Sequence, residues 1–333
     1  MTRKTKLITV CIVLSIIIGR LNAVDTTDDT NSSGTTTLVV TCNPPELSDC
    51  EGADLTGKDL SGMDLNSAKL SNSNLAHTNL TNANLTNANL SNASLIGANL
   101  TGTNLVGANL SNAILFDANL TEANLSKANL SYALMPVGTI LTRANLNGAD
   151  LTGVDLTLAD LRYTDLRNAD LTDANLTDAD LFNSDLTGID LYRANLNRAD
   201  LTDANLEGAE LTSANLKDAD LMYANLNGAN LNGADLSGAD LNGANLTRVD
   251  LIGANLLNAS LTGAILDHTN LFRANLTGAN LLRVSLRNAW LENADLTDAD
   301  LTDADLSNAE LRGANLTGTN LFAVIMPDGT IHK

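Results

Sequence analysis

The chain has 333 residues, a net charge of −20, three cysteines and three histidines. Such an acidic surface repels nucleic acid and anionic membrane headgroups, and it attracts basic partners and cations. Only 3% of the residues are aromatic and four are proline, which is unlike two ordinary globular domains and calls for a search for internal repeats.

The N-terminus reads as an export signal. Arg3, Lys4 and Lys6 form a basic region, and Leu7–Gly19 is an apolar run that is short for a membrane span. Ala23 offers a small residue for cleavage, so residues 1–23 are expected to be removed. That takes away four basic residues and no acid, leaving a net charge of −24. Residues 24–50 read as a polar linker and an N-terminal cap. Cys42 and Cys50 bracket the turn-rich stretch NPPELSD. An even pair of cysteines in an exported chain predicts a disulfide that ties down the start of the region beginning at residue 51.

From Leu55 to Leu130, and again from Leu141 to Leu321, a Leu stands at every fifth position without exception, 53 times in all. The unit is A-[D/N]-L-x-x, as in Ala83-Asn84-Leu85-Thr86-Asn87. A helix would smear this spacing around its axis, and a plain strand needs an even period. Ala at i−2 and Leu at i share one face of a very short strand, and the two outward residues after the Leu demand a bend. Such units bury their leucines only by stacking. All four prolines, Pro44, Pro45, Pro136 and Pro327, fall outside the regular units, as a backbone ladder requires. Lys58 at an i−2 position predicts that the first coil is the frayed or capped end of the stack.

The motif resembles that of the pentapeptide-repeat family over residues 51–326. The resemblance implies an all-β fold: a right-handed quadrilateral β-helix of about thirteen coils, with residues n and n+20 stacked and the leucines inside. It also implies a filled interior with no room for a substrate or cofactor.

The count slips once. Leu130 and Leu146 are sixteen residues apart, and the intervening Met135-Pro136-Val137-Gly138-Thr139-Ile140 echoes the terminal Met326-Pro327-Asp328-Gly329-Thr330-Ile331. The sequence therefore divides into a first array at 51–135, an interrupting loop at 136–140, a second, acidic array at 141–326 and a C-terminal cap at 327–333. The inner copy reads as a relic cap or a surface bulge, and in both cases one continuous rod is expected. The first array is nearly neutral, whereas the second carries a net −16. Its acids recur every twenty residues as Asp150, Asp170, Asp190 and Glu210, and as Asp160, Asp180, Asp200, Asp220 and Asp240. These are expected to form columns on opposite sides.

No constellation for catalysis emerges. His77 and His268 sit at outward turn positions without a partner at triad or metal-ligand spacing, so no catalytic, metal or cofactor-binding residue is assigned. The many Asn-Leu-Ser/Thr sequons follow from the repeat itself. Outward apolar residues are the informative departures. Ile252, Phe272 and Trp290 should meet on adjacent coils as a partner patch, and Ile96, Ile114 and Phe116 form a weaker second one. The expected function is a non-enzymatic, exported scaffold, periplasmic or extracellular. Its partner is expected to be a protein, with no nucleic acid and no membrane after signal cleavage. Phe322–Ile331 is the candidate contact for a homodimer. The alternative is suggested by cytoplasmic members of the family. It is mimicry of duplex DNA toward a type II topoisomerase such as gyrase, which export would exclude.

Overall fold

The computed structural model describes residues 49–135 and 138–333. The chain divides into two compact units, Met1–Val39 and Val40–Lys333, and every described residue lies in the second. The predicted signal segment, the linker and Cys42 are outside the described residues.

Each pentapeptide contributes one bridge residue, the Asn or Asp before the Leu, and pairs in parallel with its counterpart twenty residues on. Four repeats therefore make one step of the stack, and the bridges form four ladders. Ladder A runs from Asp59 through Asn79 to Asn320, and ladder B from Asp64 to Ile325. Ladder C runs from Asp49 to Glu310, and ladder D from Asp54 to Asn315. No helix occurs among the described residues.

One bonding pattern explains why five residues suffice. The Leu N–H donates to the next coil (Leu55 to the Asn74 carbonyl, 2.8 Å), while the bridge N–H donates to the previous one (Asn74 to Ala53, 2.9 Å). The chain then bends: the N–H of the next i−2 residue donates to the Leu carbonyl, as from Lys58 to Leu55 at 3.1 Å. The second residue after each Leu takes up left-handed backbone at this corner, for example Asn82 at φ 56° and Gly102 at φ 64°. Asn, Asp and Gly tolerate that conformation best, hence their frequency there.

The interior is a column of leucines lined with alanines, nearly all with 0–1% exposure. Burying one such Leu contributes about 2 kcal/mol. Where Thr or Ser replaces Ala, its hydroxyl is satisfied internally. Thr78 donates to the Leu55 carbonyl at 2.9 Å, and Ser73 to Leu70 at 2.6 Å. Lys58 is exposed although it stands at an i−2 position, while the leucines of its coil stay covered. Cys50, read from sequence as part of a cap, instead occupies a Leu position: it is fully buried, and its N–H donates to the Lys69 carbonyl. Ladder C accordingly starts at Asp49.

The slip is absorbed in one coil. Met135 fills a Leu position with 0% exposure, and Thr139 is buried as an i−2 residue with its hydroxyl on the Leu115 carbonyl at 2.9 Å. Ile140 is already back in ladder A, bridged to both Asn119 and Asp160. Of the predicted loop at 136–140, Thr139 and Ile140 thus belong to the regular stack. The bridges step by 21 residues across the interruption and by 20 thereafter, so the ladders continue from the first array into the second.

The two described ends differ. Leu55, Leu60 and Leu65 are 1–3% exposed, but Leu311, Leu316 and Leu321 are only half-buried. After the last coil the chain makes a tight hairpin. Met326 N–H donates to Thr330, His332 N–H donates to Val324, and Ile331 pairs antiparallel with Ile325. This covers ladder B alone. Among the described residues, ladders A, C and D end on open edges.

Candidate functional site

The outward surface is a lattice. Each repeat presents its bridge residue, the residue after the Leu, and the corner residue, and each type forms a column with its counterparts on neighbouring coils. The bridge Asn or Asp first serves its own repeat. Its Oδ1 accepts the N–H two residues on, and often the hydroxyl there as well. Asn79 accepts both from Thr81, at 3.2 and 2.6 Å. This Asx turn accounts for the abundant Asn-Leu-Thr sequons. The side chains also stack: Asn225 donates to Asn205 and Asn245 to Asn225, at 2.9 and 3.0 Å. At the bridge residues Ser260 and Ser285 the previous coil substitutes. Asn242 accepts from the Ser260 hydroxyl and the Thr262 N–H, and Asp267 does the same for Ser285 and Arg287.

The acidic residues singled out from sequence fall on two ladders. Asp150, Asp170, Asp190 and Glu210 are consecutive on ladder C, and Asp160, Asp180, Asp200, Asp220 and Asp240 are consecutive on ladder A. Arg162 clamps the top of the second column, holding Asp160 at 2.6 Å and reaching Asp180 at 3.5 Å. Its hydrogen bond keeps the Asp160 carboxyl below the ordinary carboxylate range. Burial, with Asp200 and Asp160 alongside, pushes Asp180 the other way. On ladder B, Arg167 clamps Asp165 in the same way and reaches Asp185. No such clamp lies on the ladder C column among the described residues. No group of three His, Cys, Asp or Glu among the described residues is arranged to hold a metal ion. His77 and His268 stand at left-handed corners.

Ile252, Phe272 and Trp290 all lie on the ladder C face. Trp290 is a bridge residue between Asn270 and Glu310, and the Phe272 carbonyl accepts the Gly253 N–H one coil earlier. Trp290 is 49% and Ile252 39% exposed; Phe272 is half-buried with Arg273 over its ring at 4.9 Å. Ile96, Ile114 and Phe116 share the ladder D face and are each half-buried.

Sequence reasoning passed over the corner tyrosines. Tyr163 meets Phe182 edge-on at 5.7 Å under Arg143, and Tyr132 and Tyr223 lie along glycines of the next coil. A Cβ on Gly153 would come within 2.7 Å of the Tyr132 ring, and one on Gly243 within 2.7 Å of Tyr223. The readable signal was an aromatic corner residue with Gly one coil later.

The lattice has a known counterpart. The family model described as pentapeptide repeats matches eight times, over residues 47–82, 64–102, 93–131, 139–178, 174–212, 199–238, 239–278 and 279–318. The chain belongs to the pentapeptide repeat family. Comparison with curated proteins finds no match. Among solved structures it is similar to HetL, a pentapeptide repeat protein involved in heterocyst differentiation regulation from Nostoc sp. strain PCC 7120. The identity is 32%, with 86% of this chain and 92% of that one covered and a TM-score of 0.20. It is also similar to full-length QnrB1, a plasmid-mediated fluoroquinolone resistance protein, at 19% identity over 68% of this chain and 90% of that one, TM-score 0.22. A third is AT2G44920, a pentapeptide repeat protein from the Arabidopsis thaliana thylakoid lumen, at 31% identity over 39% and 66% of the two chains, TM-score 0.12.

Proposed function

We propose that this pentapeptide repeat protein is a non-enzymatic, exported scaffold that binds a protein partner through its ladder C face. On this reading the stack is a right-handed quadrilateral helix of about thirteen coils, and the Cys42–Cys50 disulfide fastens its first coil. The observation that carries the reading is the contrast between interior and surface. The described core is filled mainly by Leu and Ala, while Trp290, the chain's only tryptophan, stands half-exposed on the face that also carries Ile252 and Phe272. Aromatic anchors of this kind dominate protein interfaces. The buried Cys50 and the apolar run of residues 7–19 support the export part of the reading.

The same scaffold pairs with a second copy through its C-terminal end. Support comes from the half-buried Leu311, Leu316 and Leu321 beside Phe322 and Ile331, which are 64% and 63% exposed. A second reading, topoisomerase mimicry, draws on the stacked carboxylates of ladders A and C, and it requires the chain to stay in the cytoplasm.

The partner surface is tested by placing a photo-crosslinking amino acid at position 252 in the expressing cell. A discrete crosslinked protein, lost on Trp290→Ala, is expected. An unchanged crosslinking pattern in Trp290→Ala would refute the assignment of this face.

A further inference from the structure

Three aromatic rings, two of them exposed, carry an arginine from this chain. Arg143 lies over Tyr163 at 5.9 Å, Arg193 over Tyr192 at 5.9 Å, and Arg273 over Phe272 at 4.9 Å. In two of these the guanidinium also reaches a carboxylate one coil earlier on the same corner: Arg143 to Glu122 at 3.8 Å, and Arg193 to Asp173 at 3.1 Å. The surface thus contains a repeated arrangement in which a cation sits between a carboxylate and an aromatic face.

Tyr223 has the carboxylate and the ring without the cation. Its corner column reads Glu122, Arg143, Tyr163, Asn183, Asp203, Tyr223, Gly243. Asp203 is therefore its neighbour one coil earlier, with the Asp203 N–H bonded to the Met222 carbonyl at 3.0 Å. Asp220 in the same repeat and Asp240 in the next coil add two ladder A carboxylates. The ring rests on Gly243, which has no Cβ to lift it, and it is the most exposed large apolar side chain among the described residues, at 66%. No basic side chain among the described residues stacks on it. Tyr132 lies on Gly153 in the same way, but its corner neighbour one coil earlier is Asn112, which carries no charge.

We propose that Tyr223, Asp203 and the adjoining Asp220 and Asp240 form a receptor for the guanidinium of an arginine-bearing segment of a partner protein. The chain's own Arg143 and Arg193 show the chemistry, and the local negative charge selects the occupant. The site is on a different ladder from Trp290 and does not depend on where the protein resides.

The test uses the full chain and a fluorescein-labelled octa-arginine peptide, with binding read by fluorescence anisotropy at physiological ionic strength. Saturable binding is expected, weakened about three- to tenfold by Tyr223→Ala and kept within about twofold by Tyr223→Phe. Tyr132→Ala and Trp290→Ala should leave it unchanged. Circular dichroism establishes that each variant is folded. Absence of binding would overturn the proposal. So would equal affinity in wild type and Tyr223→Ala, or equal weakening by Tyr132→Ala or Trp290→Ala, which would mark diffuse attraction to an acidic surface.

Discussion

At the scale of single residues, the five positions of the repeat have separate physical duties. The Leu fills the axis, the small i−2 residue lines it, the Asn or Asp closes an Asx turn, and the corner residue takes left-handed backbone. A mid-stack truncation such as Leu206→Ala should therefore leave a cavity with no means of collapse and cost about 2–5 kcal/mol. Leu316→Ala, at the half-buried last coil, should cost less than half as much. Urea unfolding of the two variants side by side measures the difference. The corner makes a second prediction. Gly153→Ala introduces a methyl 2.7 Å from the Tyr132 ring at φ 63°, so a destabilisation of about 1 kcal/mol or more is expected. Tyr132→Ala in the same chain should recover the steric part and leave only the backbone part, which a double-mutant cycle resolves.

At the scale of the ladder, stacking brings like charges together every coil, and the chain handles this unevenly. Arg162 holds Asp160 below its ordinary value near 3.8, while burial holds Asp180 above it. The two carboxylates therefore affect stability with opposite sign. The Asp160 contribution is present above the unfolded value and lost as pH falls through its lower folded value. The Asp180 contribution is present in acid and lost as pH rises through its raised folded value. Asp160→Asn is expected to lower the thermal midpoint at pH 7. Asp180→Asn should raise it, and its gain should vanish when the pH is brought below 3.8. Thermal melts of both variants from pH 3 to pH 7 (a range of about four units, chosen to bracket carboxylate titration) check the pair, and a loss of stability in Asp180→Asn at pH 7 would contradict the assignment.

The ladder is also where sequence reading stops. The Leu and Ala spacing made the stacked core and the twenty-residue columns legible, because five-residue periodicity leaves few other ways to bury the leucines. The rescue of Ser260 by Asn242 and of Ser285 by Asp267 was not legible, since it depends on a side chain reaching across one coil from a position that is usually only decorative. Tyr223 escaped notice for a similar reason. Its significance lies in Gly243 beneath it and in the arginine that its corner lacks, and both are relations across coils. Ile252 and Phe272 are legible as neighbours because they stand twenty residues apart, and Trp290 joins their face through its bridge to Asn270.

At the scale of the whole described stack, the two ends are unequal. The coil containing Leu55, Leu60 and Leu65 is closed, whereas that of Leu311, Leu316 and Leu321 is open on three ladders. Repeat stacks gain stability from nearest neighbours, so amide exchange should be fastest in residues 311–323 and slowest in the middle of the stack. If the open end pairs with a second copy, that protection should rise with protein concentration, and Leu316→Asp should abolish the effect. Sedimentation over the same concentrations gives an independent reading of the assembly.

Whether the protein works as the exported scaffold proposed above is decided by fractionation of the expressing cell, with the mass of the N-terminal peptide determined on the recovered protein. The account predicts a mature chain beginning at Val24 outside the cytoplasm, with Cys42 and Cys50 joined. An intact Met1 in the cytoplasm would contradict it, and would make the carboxylate columns of ladders A and C, as a mimic of duplex DNA, the leading account of what this protein does.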